Sequence, residues 1–467
     1  MSTPDTPSPT ESSKTVLDRL SILEGSPTLV LCFDGTGDQF DEDNSNIVKF
    51  FSMLPKGDRT RQLVYYQTVR IRPPLSPRLL GSTHFAIILD TAGDRICIFG
   101  FSRGAYTARS LAGMIHKVGL LPVCNHQQIP FAYKMYTTND ETGWKQSNAF
   151  KKTFSIDVDI EFLGVWDTVN SVGLIPKRLP FTTSNTIVRT FRHALSLDER
   201  RAKFKANLWN RPNDKEKLLS ITDQKIHHNA KKAHPSKLSQ QVLELKYSGD
   251  LERPTDVDEV WFAGCHCDVG GGSVDNDTPN NLARIPLRWM IRECFKTNSG
   301  IMFETEGLRS IGLDPDSLYP VVKPRPPALP IGSARIQPIP SSKAKTSVQT
   351  KTALPNFASA SDAQVARVHK SEEQLDLEDE LSPIYDELSL SWAWWILEVM
   401  PIKQRYQRSD DTWATYFGWN LGKGRSAPKH GIRAHRSVKA RLEASTEQGG
   451  KYKPKAAFDV ESTTWVD

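Results

Sequence analysis

The strongest constraint on the fold is a set of short apolar runs, separated by longer segments with helical character. The runs are rich in β-branched and aromatic residues and alternate little between apolar and polar positions. Such runs are typical of strands in a parallel sheet that is covered on both faces. The predicted strands are Thr28–Phe33, Gln62–Gln67, Arg95–Phe101, Ile160–Trp166 and Glu259–Gly264.

Helical patterns lie between these runs. Ala105–Leu120 repeats apolar residues at helical spacing, and Pro286–Phe295 begins with proline where a helix tolerates one. The alternation predicts an α/β fold with a mostly parallel central sheet and helices on both faces. The sequence contains no uninterrupted apolar run of about 18 residues, so no membrane-spanning helix is expected.

Changes in composition divide the 467 residues into four predicted regions. Residues 1–25 are rich in Ser, Thr and Pro, lack a signal-like apolar stretch and are predicted to be a disordered tail. Residues 26–313 carry the apolar runs and a polar, basic insertion at about 203–255. Residues 314–380 are predicted to be a Pro/Ser-rich linker, and residues 381–467 a Trp-rich C-terminal module.

Cysteine usage and charge limit the environment and the partners. The six cysteines do not form a spaced disulfide framework, which favours a reducing compartment, and we expect a cytoplasmic protein. The net charge of +6 is small for this length. It permits contact with an anionic surface, and no nucleic-acid partner is expected. The sequence leaves the oligomeric state open.

A Gly-x-Ser-x-Gly motif, residues 100–104, stands between a predicted strand and a predicted helix. In α/β-hydrolases this pattern marks the turn that lifts a nucleophilic serine above the sheet, here Ser102. The glycines remove Cβ atoms where the strand and the helix nearly collide. The alternative interpretation is an ordinary tight turn before a core helix.

A nucleophilic serine needs a base and an acid that orients the base. His266 and Asp167 each follow a predicted strand, and the order Ser, Asp, His matches that of α/β-hydrolases. Asp167 is alternatively a turn or helix cap, and Asp268 is a rival acid. Cys265 and Cys267 flank His266, but three such close residues cannot easily surround one zinc ion, so no metal is expected.

The predicted oxyanion hole combines two loops. One backbone N–H comes from Arg103, directly after the nucleophile. The other comes from Gly35, Thr36 or Gly37, after the first strand. The same loop suggests an alternative enzyme class, because Asp34-Gly35-Thr36 is similar to the start of the haloacid dehalogenase phosphatases. Their nucleophilic aspartate, however, is replaced here by Cys32.

Four motifs occur in one order: "CFDGTGD", "IFGFSRGAYTARSLAGMI", "LGVWDTVNSVG" and "WFAGCHCDVGGG". Together with "FRHALSLDERRAKF" they resemble the α/β-hydrolase family that contains the catalytic domain of type VI secretion phospholipase effectors. The resemblance covers roughly residues 28–300. It implies Ser102 as nucleophile, Asp167 as acid and His266 as base in the hydrolysis of a carboxylic ester, such as a phospholipid acyl ester, without a cofactor. For His193, Asp198 and Arg200 a structural network is expected.

One departure from the family suggests a different function. The resemblance implies a longer segment at Arg70–Ala92, because members of the family usually carry a Gly-rich turn and a longer helical stretch there. A chain that lacks part of the pocket wall would keep the triad residues but lose activity. The second hypothesis is therefore a catalytically impaired binding protein with a hydrolase fold.

The Trp-rich module has a pattern that bears on membrane contact. Trp392, Trp395, Ile396 and Val399 fall near one face of a predicted helix, and basic residues follow from Lys403. This pattern permits peripheral membrane contact, and its alternative is a helix packed on the domain.

Overall fold

The computed structural model describes residues 27–35, 41–68, 94–122, 125–169, 179–210, 243–244, 254–340, 370–407, 413–428, 431–447 and 449–467. Several predictions fall outside these residues. They concern the N-terminal tail, Thr36, Gly37, the segment Arg70–Ala92, most of the predicted insertion and residues 341–369 of the predicted linker.

The described strands are β1 (Thr28–Asp34), β2 (Gln62–Thr68), β3 (Arg95–Phe101), β4 (Ile160–Trp166), β5 (Val188–Ser196), β6 (Asp256–Phe262), β7 (Arg335–Ile336), β8 (Ile402–Gln407), β9 (Trp413–Gly418), β10 (Arg433–His435), β11 (Ser445–Thr446) and β12 (Thr464–Val466). Eight of them form one sheet in the order β12-β10-β6-β5-β4-β3-β1-β2. Every neighbouring pair in this sheet is parallel. The predicted α/β class is confirmed.

The described α-helices are α1 (Asn46–Ser52), α2 (Arg103–Val118), α3 (Ile129–Thr137), α4 (Glu141–Phe154), α5 (His266–Gly270), α6 (Arg284–Lys296), α7 (Thr305–Ser310), α8 (Pro315–Leu318), α9 (Glu372–Glu380), α10 (Glu387–Leu390), α11 (Trp395–Val399) and α12 (Arg436–Glu443). None of these described helices has the length and apolar character needed to cross a bilayer.

Helices cover both faces of the sheet because its strands are apolar on both sides. In β1, Val30 and Cys32 pack with residues of α1 and α6. Leu29 and Leu31 point to the other face and pack with the small residues of α2. The strands therefore lack a polar face, as expected for a covered parallel sheet.

The fifth strand of the chain, β5, was not among the predicted strands. It lies between β4 and β6, and polar residues interrupt its apolar pattern. Arg192 is buried and forms ion pairs with Glu293 and Asp256, and His193 is buried against Glu259. Ion pairs of Arg192 and a hydrogen bond of His193 thus satisfy the side chains that make the segment look unlike a core strand.

The sheet continues beyond the predicted end of the α/β domain at residue 313. β10 pairs with β6, and β12 pairs with β10. The C-terminal segment, residues 381–467, thus completes the sheet at one edge. Part of the predicted linker also packs on the α/β domain, because α9 contacts α6 through ion pairs of Arg288 with Asp376 and Asp379. The structure thus differs from the predicted division into domain, linker and module.

The Trp-rich stretch does not form the single helix that its pattern suggested. It contains α10, a short 3-10 turn at Trp392–Trp394 and α11. The antiparallel hairpin of β8 and β9 follows.

Candidate active site

Ser102 lies at the tip of the turn between β3 and α2. Its backbone has φ 58° and ψ −119°, an unusual conformation for a residue other than glycine. Its N–H donates to the carbonyl of Trp166 at 3.0 Å, which ties the turn to the end of β4. The side chain lies at the N-terminus of α2, where the helix dipole is positive.

The two glycines of the motif are required by close backbone approach. A Cβ atom on Gly104 would lie 2.2 Å from the carbonyl oxygen of Phe33. A Cβ atom on Gly100 would lie 2.6 Å from the Cα atom of Ala105. Both distances are far below van der Waals contact, so the sharp turn expected from the sequence is built on these two residues.

Asp167 and His266 are brought together above the ends of β4 and β6. The His266 Nδ1 atom lies 2.5 Å from the Asp167 Oδ2 atom. Asp167 follows β4 directly, with φ 43°, and His266 is the first residue of α5. Because Nδ1 faces a carboxylate, it carries the proton and leaves the lone pair on Nε2. An imidazole in this form can accept a proton from a serine hydroxyl.

Aromatic rings hold the imidazole next to the serine turn. The ring of His266 stacks on Phe101, which directly precedes Ser102, with centroids 4.7 Å apart. Phe204 contacts the same imidazole edge-on at 4.9 Å. Burial lowers the pKa of His266, although the hydrogen bond to Asp167 opposes this shift. The imidazole is therefore held neutral, as a general base requires.

Asp268, the rival acid, has a different role. Its Oδ2 atom accepts hydrogen bonds from the N–H groups of Cys265 at 2.9 Å and Tyr385 at 3.0 Å. Burial raises the pKa of this carboxyl to about 7. Asp268 thus caps the helix that begins with His266 and ties it to the C-terminal segment.

Gly35 is the one described member of the predicted oxyanion loop after β1. Its N–H donates to the Asp34 carboxylate at 2.8 Å. The same carboxylate accepts from Ser45 at 2.7 Å and from Tyr66 at 2.8 Å. Asp34 therefore organises the loop, and the Gly35 N–H is engaged by it. Cys32, at the position of the phosphatase nucleophile, is buried, and burial raises the pKa of its thiol.

His193 supports the loop that carries the acid. Its Nε2 atom accepts from the N–H of Thr168 at 3.1 Å, and its Nδ1 atom lies 2.9 Å from Glu259. Burial lowers the pKa of His193, which keeps this imidazole neutral. The residue thus fixes the backbone next to Asp167, in agreement with the structural network that the sequence suggested.

The loop that follows β5 links the His266 region to the C-terminal segment. The Asp198 carboxylate accepts from the N–H of Gly264 and the hydroxyl of Tyr452, both at 2.7 Å. Arg200 bonds Asp386 at 2.8 Å, and the N–H of Ala202 donates to Glu398 at 2.6 Å. These contacts join two regions that are far apart in sequence.

Sequence reasoning missed three charged residues around the triad. Glu199 accepts from the N–H of His266 at 3.3 Å and forms a two-pronged ion pair with Arg201. Arg425 forms another two-pronged ion pair, with Asp167. Glu199 and Arg201 belong to a motif that the sequence singled out, whereas no sequence pattern marks Arg425. Among the described residues, no group of three or more His, Cys, Asp or Glu side chains is arranged to hold a metal ion.

A family described as "T6SS, Phospholipase effector Tle1-like, catalytic domain" matches residues 27–70 and 84–293. The match covers more than half of the chain and includes Ser102, Asp167 and His266. It leaves out residues 71–83, which lie in the segment Arg70–Ala92 that the sequence predicts to be shortened. A relative from Saccharomyces cerevisiae, "Uncharacterized protein YEL023C", is 29% identical, and the alignment covers 89% of this chain and 78% of the relative.

Two solved structures are also similar to the chain. An uncharacterized protein from Pseudomonas aeruginosa has a TM-score of 0.34 and 16% identity, over 62% of this chain and 48% of that one. The Tle1 effector bound to the VgrG spike from the type 6 secretion system has a TM-score of 0.26 and 14% identity, over 53% and 51%. The chain thus spans about half the length of each solved structure.

Proposed function

Because the chain belongs to the family of the Tle1-like phospholipase effector catalytic domain, we propose that it is a serine hydrolase that cleaves a carboxylic ester of a phospholipid, as a phospholipase A does. The observation that carries the proposal is the 2.5 Å contact between Asp167 and His266. This pair lies beside the strained turn of Ser102, since Phe101 stacks on the imidazole. The three residues have the chemistry of a nucleophile, a base and an orienting acid.

In the proposed reaction, the Ser102 Oγ atom attacks the ester carbonyl carbon and its proton passes to Nε2 of His266. The carbonyl double bond opens to a tetrahedral oxyanion. When the oxyanion collapses, the bond to the alcohol breaks and His266 returns the proton to the leaving oxygen. Water then repeats these steps on the acyl-serine and releases the fatty acid. Asp167 keeps the imidazole in the required tautomer throughout.

The proposed oxyanion donors lie at the N-terminus of α2 and in the loop after β1. The Arg103 N–H directly follows the nucleophile in the first turn of α2, where the positive end of the helix dipole stabilises a developing negative charge. Of the loop donors, Gly35 already donates to Asp34. Thr36 and Gly37, the other predicted donors, lie outside the described residues, so the proposal rests on the Arg103 N–H.

We also propose that a lipid surface docks beside this site. The C-terminal apolar surface consists of large exposed side chains: Leu390, Trp392, Ile396, Val399, Met400, Phe417, Trp419 and Leu421. Single apolar residues are ordinary on a protein surface, but the concentration of large exposed ones within residues 390–421 favours an interaction site. Exposed Lys403 and Lys423 lie in the same region and suit an anionic membrane.

The C-terminal apolar surface is connected to the candidate triad. The N–H groups of Asn420 and Leu421 both approach the carbonyl of Glu398 at 3.3 Å, which joins the end of the hairpin to α11. Trp394, just before α11, contacts Phe204 with ring centroids 5.6 Å apart. Phe204 in turn contacts His266. These contacts connect the segment that carries this surface to His266, which supports the proposed docking of lipid beside the site.

A fluorophosphonate probe tests the nucleophile. We expect the wild-type chain to be labelled and to release fatty acid from phosphatidylcholine vesicles. Ser102→Ala removes the attacking oxygen, so labelling should vanish and hydrolysis should fall by about 10³-fold or more. Ser110→Ala is the matched control, because its buried hydroxyl lies two turns further along the same helix and bonds the Tyr106 carbonyl and the Tyr136 side chain, away from the serine turn. Labelling that survives in Ser102→Ala would contradict the proposal.

The impaired binding protein stays the second candidate, since the family match is interrupted at residues 71–83. The same experiment separates the two. A wild-type chain that binds vesicles but neither reacts with the probe nor releases fatty acid is the result that a binding protein gives.

A further inference from the structure

Arg425 contacts both oxygens of the candidate acid. Its Nη1 atom lies 2.5 Å from Asp167 Oδ1, and its Nη2 atom lies 2.8 Å from Asp167 Oδ2. The Oδ2 atom is also the acceptor for Nδ1 of His266. Planar pairing of this kind fixes the orientation of a carboxylate as well as its charge.

The remaining contacts of the guanidinium hold it in one place. Nη1 donates to the hydroxyl of Ser196 at 2.8 Å, and Nε and Nη2 donate to the carbonyl of Phe204 at 3.1 and 2.6 Å. Arg425 is only 5% exposed. Since Phe204 contacts His266, Arg425 touches the supports of both the acid and the base.

The position of Arg425 depends on how the C-terminal segment is packed. A Cβ atom on the preceding residue, Gly424, would lie 2.1 Å from the carbonyl of Lys455. The following residue, Ser426, forms a bridge with Ala457. The chain around Arg425 is therefore held between two parts of one segment, and that segment lies outside the matched family residues 27–293.

The ion pair between Arg425 and Asp167 also changes the electrostatic potential at His266. Burial of Asp167 would raise its pKa, but Arg425 and the hydrogen bond from His266 hold this pKa well below its usual value. An ionised carboxylate alone raises the pKa of a neighbouring imidazole, and a cation on the carboxylate opposes that effect. The other charged groups facing His266 are Glu199 and Arg201, which pair with each other. Lys205 lies further out, near Arg425 and Glu199.

We propose that Arg425 is a positioning residue of the triad, through which the C-terminal segment controls the reactivity of Ser102. The guanidinium orients the Asp167 carboxylate toward His266 and offsets its charge, so that the imidazole is free of a proton at neutral pH. This inference rests on the proposed serine hydrolase. It adds that the catalytic unit is incomplete without residues near 425.

The first test measures His266 directly and does not require activity. Histidine-labelled protein is titrated by NMR, with His266→Gln used to assign the resonance. In Arg425→Gln the charge of Asp167 is no longer offset, and we expect the His266 pKa to rise by about one unit. Arg425→Lys keeps the charge and should leave this pKa near the wild-type value. An unchanged pKa in a folded Arg425→Gln would overturn the inference.

The second test measures the rate of labelling by the fluorophosphonate between pH 5 and 9. In this step a bond forms between Ser102 Oγ and phosphorus, the phosphorus–fluorine bond breaks, the hydroxyl proton passes to His266 and fluoride leaves. The acidic limb of the profile should move to higher pH by about one unit in Arg425→Gln. Arg425→Lys should keep the limb but lower the plateau by about tenfold, because one amine cannot replace the two-pronged contact.

Arg433→Gln is the matched control. Arg433 lies in the same segment and forms a two-pronged pair with Asp258, at 2.6 and 3.1 Å, but does not contact the triad. Its pH profile should equal that of the wild type. A wild-type chain that is not labelled would refute the proposed hydrolase, whereas the NMR titration would still decide the role of Arg425. A wild-type chain that is labelled, with equal profiles for all variants, would refute the role of Arg425 alone.

Discussion

Different interactions hold the matched region and the C-terminal segment in the sheet. In the matched region, residues 27–70 and 84–293, long apolar strands pack between helices on both faces. In the C-terminal segment, residues 381–467, the two strands that join the sheet have only three residues each. Polar contacts and a small apolar cluster at the sheet edge hold that segment.

The functional consequence of this difference is that the two regions contribute different parts of the site. The matched region supplies Ser102, Asp167 and His266 at the ends of strands. The C-terminal segment supplies groups that hold them, namely Arg425 on Asp167 and the N–H of Tyr385 on Asp268. It also carries the exposed apolar side chains. The apolar core thus places the reacting groups, and the buried polar contacts adjust them.

The largest effect on stability is expected from a substitution in the matched region, at the turn that holds Ser102. In Gly104→Ala the new Cβ would lie 2.2 Å from a backbone oxygen, which no side-chain rearrangement can relieve. We expect the free energy of unfolding to fall by about 3 kcal/mol, measured by urea denaturation.

Gly57→Ala is the control for this substitution, since a Cβ atom there has no neighbour within 4 Å. Its free energy of unfolding should stay within about 0.5 kcal/mol of the wild type. Equal unfolding curves for the two variants would show that the turn at Ser102 is not as tightly packed as described.

A smaller effect on stability is expected at Asp268, which connects the matched region to the C-terminal segment through the N–H of Tyr385. Burial raises the pKa of Asp268 to about 7, above its ordinary 3.8. The folded protein therefore binds a proton more tightly than the unfolded chain, so this residue lowers stability as pH rises from about 4 to about 7. Asp268→Asn keeps an acceptor for the N–H groups of Cys265 and Tyr385. It should raise the free energy of unfolding by about 1–2 kcal/mol at pH 8.

The measurement is thermal or urea unfolding of both proteins between pH 4 and 8. The two stability curves should converge toward pH 4 and separate as pH rises. Asp157→Asn serves as control, because this carboxylate has an exposed side chain in an ion pair with Lys151. A difference between wild type and Asp268→Asn that does not change with pH would contradict the assignment.

Much of the matched region could be predicted from the sequence, but little of the C-terminal segment could. Apolar runs predicted β3 and β4, which end directly before Ser102 and Asp167, with the same bounds as in the structure, because a covered strand has a local signature. Arg425 has none, since its contact with Asp167 spans 258 residues of sequence and depends on the complete fold. The strand β5 was missed for the same reason, because the pairing of Arg192 is visible only in three dimensions. The roles of Ser102, Asp167 and His266 in catalysis stay predictions.

The smallest effect on stability, but a large one on lipid binding, is expected at the C-terminal apolar surface. Trp392 is 78% exposed and Phe417 is 71% exposed. Replacing both with serine removes little buried area, so the free energy of unfolding should change by less than about 0.5 kcal/mol. Because interfacial binding scales with the apolar area that enters the bilayer, binding to anionic vesicles should fall by about tenfold.

Flotation of vesicles with the full chain measures this difference. The control replaces Phe131 and Val321 with serine, since these are 56% and 73% exposed but lie outside the C-terminal apolar surface. That variant should float like the wild type, and both variants should react with the fluorophosphonate at the wild-type rate, because neither changes the triad. Equal flotation of all three proteins would remove the membrane role from the C-terminal segment. The segment would then act on the site only through its buried contacts with Asp167 and Asp268.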